Sequence, residues 1–270
     1  MSAASRQERK GSAFRALHAG EPFVIPNPWD AGSARVLEAL GFSALATTSS
    51  GFAFALGLHD GQVTLEQMAE HVAAVDAATE LPVSADLENG YGPEAAVAAE
   101  AMRRIASAGA VGGSIEDFDR DERRLYDIEH AADRIRAAVE AARGVGVPFT
   151  LTARAENHIR DHPDLADTIR RLQAYDEAGA DVLYAPGLAT GDDIRAVCEA
   201  VSKPVNVLAL PTLSIGDITE AGARRISVGG GLTWVAVRAF ADAATAIRDR
   251  GDLSALAASV PLDDWFGDRT

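Results

Sequence analysis

Residues 82–117 read PVSADLENGYGPEAAVAAEAMRRIASAGAVGGSIED and hold one complete strand–helix–strand unit. Pro82–Asp86 and Val111–Glu116 are short, apolar and bounded by turn residues, the pattern of buried strands. Between them, Ala95–Ala108 carries apolar residues at helical spacing and stops at Gly109, a residue suited to ending a helix. Both strands end in acids: Asp86-Leu87-Glu88 closes the first and Glu116-Asp117 the second.

The same alternation runs outward in both directions. Further strands are expected at Phe23–Pro26, Ala44–Thr48, Phe149–Arg154, Val182–Ala185, Val205–Leu208 and Arg225–Val228. Helical spacing marks 33–40, 65–78, 129–143, 165–178, 191–201, 215–221 and 233–248, with Gly41, Gly109, Gly144 and Gly179 placed as C-terminal caps. Eight strands, each followed by a helix, predict an α/β fold of the closed (β/α)8 TIM-barrel type. An open doubly wound sheet needs fewer strands, and no Gly-rich dinucleotide fingerprint follows the first strand. With no linker or repeat, residues 1–270 are expected to form one domain, with a C-terminal tail from about residue 252. Val260-Pro261-Leu262 and Trp265-Phe266 in that tail are expected to dock on this subunit or a neighbour.

The 270 residues are 47% hydrophobic, enough for one sizeable core. No stretch reaches the ~18 apolar residues of a membrane span, and Met1–Ser12 is polar. The single Cys198 excludes an internal disulfide, and a cytoplasmic setting is expected. Forty acidic against 25 basic residues give a net charge of −15, which disfavours nucleic acid and membrane partners. An anionic substrate would then need local positive charge from a metal, arginines or helix N-termini.

In parallel barrels the active site lies at the C-terminal ends of the strands. Asp86 and Glu88, two residues apart, are expected to share a face and to meet Glu116 from the next strand. Three carboxylates that close would not all ionise without a cation, and oxygen-only ligands suit magnesium or manganese. Acids at a barrel rim also cap helices or stand in solvent, and spacing alone does not choose between these readings. Arg154 could neutralise a carboxylate or a developing enolate oxygen, or form a structural ion pair with Glu116 or Glu156. Ser49-Ser50-Gly51 could offer backbone N–H groups to an anion, or be a turn.

These strand ends, in this order, resemble the isocitrate lyase and phosphoenolpyruvate mutase superfamily from about Phe14 to Arg250. The resemblance is carried by Asn27-Pro28-Trp29-Asp30, Ser49-Ser50-Gly51, Leu58-His59-Asp60, Asp86-Leu87-Glu88-Asn89-Gly90-Tyr91-Gly92, Glu116-Asp117, Arg154-Ala155-Glu156 and Ser227-Val228-Gly229-Gly230. It implies a (β/α)8 barrel, commonly a homotetramer or dimer in which the terminal helix swaps between subunits. It also implies Mg2+ (Mn2+ being possible) held largely through waters by Asp60, Asp86, Glu88 and Glu116. In the family the substrate carboxylate sits against the backbone amides matching Ser50-Gly51 and is contacted by the arginine matching Arg154. Trp29, Ser49, Asp60 and Asn206 are further candidate substrate contacts, and Arg154 and Glu116 are the candidate catalytic residues. Glu88 stands where many members have aspartate.

One departure matters. Lyase members follow the Glu-Asp with a segment containing Lys-Arg-Cys-Gly-His, whose cysteine moves a proton. Here the chain reads Phe118-Asp119-Arg120-Asp121-Glu122-Arg123-Arg124-Leu125, and Cys198 falls in a later helix. Isocitrate-type cleavage, which needs a placed acid for the departing dicarboxylate, is therefore disfavoured. Oxaloacetate decarboxylation or phosphonopyruvate-type cleavage through an enolate demands less. The expected partner is a small 2-oxo acid or dicarboxylate, and residues 118–127 are a candidate lid. A methylisocitrate-type lyase with another acid, and a non-catalytic keto-acid binding protein, are the alternatives.

Overall fold

The computed structural model describes residues 3–267. In chain order the strands are β1 (Phe23–Ile25), β2 (Leu45–Ala46), β3 (Val83–Asp86), β4 (Gly112–Glu116), β5 (Phe118–Asp119), β6 (Arg124–Leu125), β7 (Thr150–Arg154), β8 (Val182–Tyr184), β9 (Val205–Leu208) and β10 (Arg225–Ser227). β5 and β6 form a small antiparallel hairpin, and the other eight pair in parallel in the order β1-β10-β9-β8-β7-β4-β3-β2. The first two strands of the chain thus sit at the two ends of the order. Ala46 N–H donates to the Pro26 carbonyl at 3.1 Å and joins them. The Asn27 amide reinforces the seam, donating to the Thr47 carbonyl at 3.1 Å and accepting from Val228 N–H at 3.0 Å. The sheet closes into the expected (β/α)8 barrel.

The helices are α1 (Ala3–Ala19), α2 (Ala31–Ala39), α3 (Ser49–Ala55), α4 (Leu65–Ala78), α5 (Ala95–Ser107), α6 (Ile128–Gly144), α7 (Leu165–Glu177), α8 (Gly191–Ala200), α9 (Ile215–Glu220), α10 (Gly231–Arg250) and α11 (Leu262–Phe266). Short polar side chains start them, with Asp30, Thr64 and Ser214 each making a reciprocal capping box. Asp30 therefore caps α2. The main core lies between strands and helices, where Met102 and Ile105 of α5 pack with Ile115, Leu151 and Leu183. Fully burying one such side chain stabilises by about 1.5–3 kcal/mol.

Three local expectations are corrected. Gly144 is the last residue of α6, and the left-handed backbone that follows is at Gly146 (φ 81°). α1 appears where only a polar stretch was read. Tertiary contacts hold it: Phe14 is fully buried, and Lys10 reaches Asp76 at 2.5 Å. Gly11 lets it approach, since a Cβ there would lie 2.1 Å from the Pro148 carbonyl oxygen. The third correction is α3, a helix where a turn or anion loop was expected. The tail docks in part on this subunit: the Arg35 guanidinium lies 4.4 Å from the ring centre of Phe266, while Val260 and Leu262 stay exposed.

His71 of α4 is buried, its ring stacked on Phe52 of α3 at 3.8 Å with its Nε2 unpartnered. Burial lowers its pKa to about 4. The folded protein keeps the imidazole neutral, whereas the unfolded chain takes up a proton near the ordinary value of about 6.5. The stability that depends on the neutral ring is complete above that value and is lost as pH falls toward the folded pKa. Urea melts should show about 2 kcal/mol of this loss between pH 7 and pH 5. His71→Phe should reduce the acid sensitivity by that amount; an unchanged pH slope would exclude His71 as its source.

Candidate active site

The polar mouth is built from the C-terminal ends of β3, β4 and β7. Asp86 ends β3, and Ser49 N–H donates to its Oδ2 at 3.1 Å. Thr48 caps α3, its hydroxyl accepting from Gly51 N–H at 3.4 Å. Among the described residues, the Ser50 amide is left as the open donor of α3's first three. A Cβ on Gly51 would lie 2.6 Å from Thr233 Oγ1 and 2.7 Å from Thr48 Cγ2, so only glycine fits here. Trp29 flanks the same position, 3.1 Å from that Cβ.

Glu88 reaches the cluster by a different route from the one expected. β3 stops at Asp86, and Glu88 takes a left-handed backbone (φ 51°), as does Tyr91 (φ 68°). Same-face alternation of a strand does not apply beyond the strand's end. The turn, a strained conformation for non-glycine residues, brings the carboxylate inward instead. Glu88 is buried and lies 2.9 Å from Arg120 Nε. Burial, which Arg120 only partly offsets, pushes its pKa up to about 7. Glu116 at the end of β4 is fully buried among Arg154 (3.4 Å), Arg160 (3.4 Å) and Arg120 (3.5 Å). Burial and the neighbouring Glu156 raise its pKa as well. Asp60, half-exposed, meets Arg120 at 3.3 Å.

Arg154 ends β7 and lies 3.6 Å from Asp86 and 3.4 Å from Glu116, and it also pairs with the buried Glu156. Its guanidinium lies 5.3 Å from the ring centre of Tyr184. Burial works against its charge, but Glu156, Glu116 and Asp86 outweigh burial and hold it protonated. Arg160 completes the group, 2.8 Å from Glu156. The ion-pair reading of Arg154 is thus correct for both glutamates, and the same group faces Asp86.

The three acids are joined through shared arginines rather than as a bare triad. Among the described residues, no three Asp, Glu, His or Cys side chains stand close enough to hold one ion directly. Arginines interleave with them. Asp60, Asp86, Glu88, Glu116 and Glu156 face Arg120, Arg154 and Arg160. If every group ionises, two negative charges are left over, and the raised pKa values of Glu88 and Glu116 reflect that surplus together with burial. Sequence reasoning missed Arg120 and Arg160 and named Glu156 only as a partner of Arg154; the spacing of Glu156 and Arg160 at i,i+4 was the one available sign.

Beneath the mouth a polar cavity with about 460 Å³ of empty space enters the barrel, lined by Asn27, Thr47, Asp86, Arg154, Tyr184 and Arg225 among others. Asn206, expected to contact substrate, belongs to its framework: its amide accepts from Arg225 Nε (2.9 Å) and donates to Ser227 Oγ (3.0 Å). A wider cleft of about 1,010 Å³ lies outside Arg120, between His59–Gln62 and the β5–β6 hairpin. Cys198 sits in α8, away from both, against Gly222, and burial raises its thiol pKa to about 11.

Comparison with known proteins agrees with this architecture. A structure from Burkholderia cenocepacia J2315, provisionally described as a lyase/mutase, superposes with a TM-score of 0.94 at 49% identity, covering 98% of both chains. An oxaloacetate decarboxylase of Rhodopseudomonas palustris (strain BisB18) is 32% identical across 92% of this chain and 85% of its own. Phosphonopyruvate hydrolase, solved with oxalate and Mg++, superposes with a TM-score of 0.83 at 25% identity, over 93% of this chain and 91% of the other. The family described as phosphoenolpyruvate phosphomutase matches residues 14–248. With that match spanning most of the barrel, the chain belongs to the phosphoenolpyruvate phosphomutase family, among the lyases and mutases of the isocitrate lyase/phosphoenolpyruvate mutase superfamily.

Proposed function

We propose that this chain is a Mg2+-dependent lyase that cleaves the bond beside the carbonyl of a small 2-oxo acid, with oxaloacetate decarboxylation as the reaction it fits best. The observation that carries this reading is the charge of the mouth, where the acids outnumber the arginines even with Arg120 docked, an excess that a divalent cation would offset. Glu88 Oε1 and Glu116 Oε2 are buried without a hydrogen-bond partner, and an all-oxygen donor set suits a hard ion. Asp60, Asp86, Glu88 and Glu116 would hold it, largely through waters. When bound, the ion supplies Lewis acidity at the substrate's keto and carboxylate oxygens.

The chain's own groups do the rest. The open Ser50 amide at the start of α3 receives the substrate carboxylate. Arg154 holds positive charge where the enolate oxygen develops as the bond to the departing CO2 breaks. Solvent then delivers the proton to the carbon that lost CO2, since the one thiol lies elsewhere. The similarity to oxaloacetate decarboxylases along most of the chain supports that substrate, as does a neighbour solved with oxalate. α10 exposes Trp234, Val235 and Phe240 on one helix, and a second copy of the chain is the proposed cover, in a dimer or homotetramer.

A turnover screen with Mg2+, offering oxaloacetate, phosphonopyruvate and 2-methylisocitrate, tests the reaction. Turnover of oxaloacetate alone is expected. Activity on 2-methylisocitrate would favour the carbon–carbon lyase reading. Silence on all three, with metal-dependent binding of oxalate, would move the assignment to a binding protein. Asp86→Ala should weaken Mg2+ binding by about tenfold or more, measured by calorimetry, because removing one ligand arm commonly costs that much; unchanged affinity would sink the metal assignment.

A further inference from the structure

Arg120 is the group that this metal reading leaves unexplained. It belongs to the hairpin of β5 and β6, outside the barrel wall, yet its guanidinium reaches inward to acids from three different segments. Those acids are Glu88 at 2.9 Å, Asp60 at 3.3 Å and Glu116 at 3.5 Å. All three are among the four assigned to the ion. Arg120 takes Glu88 Oε2 and Glu116 Oε1, the other oxygens of the two carboxylates left with an unpartnered atom, so the guanidinium and a hydrated divalent cation compete for the same space between them. The arginine also stands at the boundary between the inner cluster and the outer cleft of about 1,010 Å³, so there is room for it to withdraw. The two strands of its hairpin pair over a short ladder, Phe118 with Leu125 and Asp119 with Arg124, and Asp119 Oδ1 accepts from Asp121 and Glu122 N–H in the turn between them.

We propose that Arg120 is an exchangeable cation of the metal-free protein: its guanidinium occupies the place of Mg2+ among Asp60, Glu88 and Glu116, and loading the ion drives it, with the hairpin, into the outer cleft. The proposal rests on the metal reading above. Metal affinity and hairpin position are then linked reciprocally: the docked Arg120 weakens the ion by the same free energy by which the bound ion disfavours the docked hairpin. Arg154 has no such role. It ends a barrel strand, and its pairing with Glu156 does not depend on the hairpin.

The test is calorimetric titration of the full chain with Mg2+ and with Mn2+, in the wild type, in Arg120→Ala and in Arg123→Ala/Arg124→Ala. The double variant removes more charge from the same hairpin without touching the acids. Arg120→Ala should bind the ions about tenfold tighter or more, and the double variant within about twofold of wild type, because contact charges act far more strongly than exposed ones. Trypsin cleavage after Arg123 supplies a second readout. It should accelerate in the wild type when Mg2+ is added, and should be fast in Arg120→Ala with or without the ion. Equal affinities for wild type and Arg120→Ala would overturn the exchange. So would equal tightening in the double variant, or wild-type cleavage indifferent to metal. If none of the proteins binds either ion, the metal reading falls and the exchange falls with it.

Discussion

Arg154→Ala is expected to lose at least about 10²–10³-fold in kcat/KM, the usual consequence of removing a group aimed at developing negative charge. The loss should come mainly through kcat, since Arg154 is assigned to the enolate. The same variant should also be less stable, because Asp86, Glu116 and Glu156 would lose their shared counter-charge in a buried setting. Breaking a buried pair costs about 3–5 kcal/mol, and proton uptake by Glu116, whose pKa burial already raises, would relieve part of it. Arg154→Lys separates the effects: it retains a charge and most of the stability, but a lysine cannot span three carboxylates with a planar fork. Steady-state kinetics with thermal melts in chelator would check both. A variant that kept wild-type kcat would remove Arg154 from the chemistry.

The largest effect on stability is expected at Asp117, the residue after Glu116. It is buried and accepts from Glu156 N–H at 2.8 Å, Arg171 Nη1 at 2.9 Å and Tyr175 Oη at 2.5 Å. Asp117→Ala would leave Arg171 unpaired on that side, the Tyr175 hydroxyl without its acceptor and one backbone donor unsatisfied. A cost of about 3–5 kcal/mol is expected, read by urea melts as a lower midpoint with an unchanged slope. Asp117→Asn keeps an acceptor for part of this network and should lose less. A change below about 1 kcal/mol in the alanine variant would mean that water replaces the carboxylate there.

The barrel was legible because each of its eight strands is a short apolar run between amphipathic helices, a pattern that local burial alone imposes. Most of the acids were legible for a related reason: a strand end fixes where Asp86, Glu116 and Arg154 must stand. What escaped the sequence is what tertiary contact creates. α1 has weak amphipathicity and carries Gly11 in its middle, and it forms against Pro148 and Asp76. α3 is seven residues starting Ser-Ser-Gly, which reads as a turn until Thr48 caps it. Glu88 reads as the next in-facing strand position, whereas the chain has already left the sheet in a left-handed turn. Arg120 and Arg160 sit in connecting segments, whose direction no periodicity encodes, so the interleaving of cations among the acids was invisible.

Arg171 does more than neutralise Asp117. Its Nη1 also donates to the Tyr126 carbonyl at 2.9 Å, and Tyr126 N–H donates to the Asp117 carbonyl at 2.8 Å. The two feet of the β5–β6 hairpin are therefore fastened to each other and to one bolt on α7. Whatever swings does so between residues 118 and 125, like a drawbridge on a fixed sill, and β4 with Glu116 stays where it is. A span so short belongs to the nanosecond-to-microsecond motions of loops rather than to slower domain rearrangements. Opening the gate and keeping the barrel wall intact are thus mechanically separate tasks, and it is Arg171 that separates them.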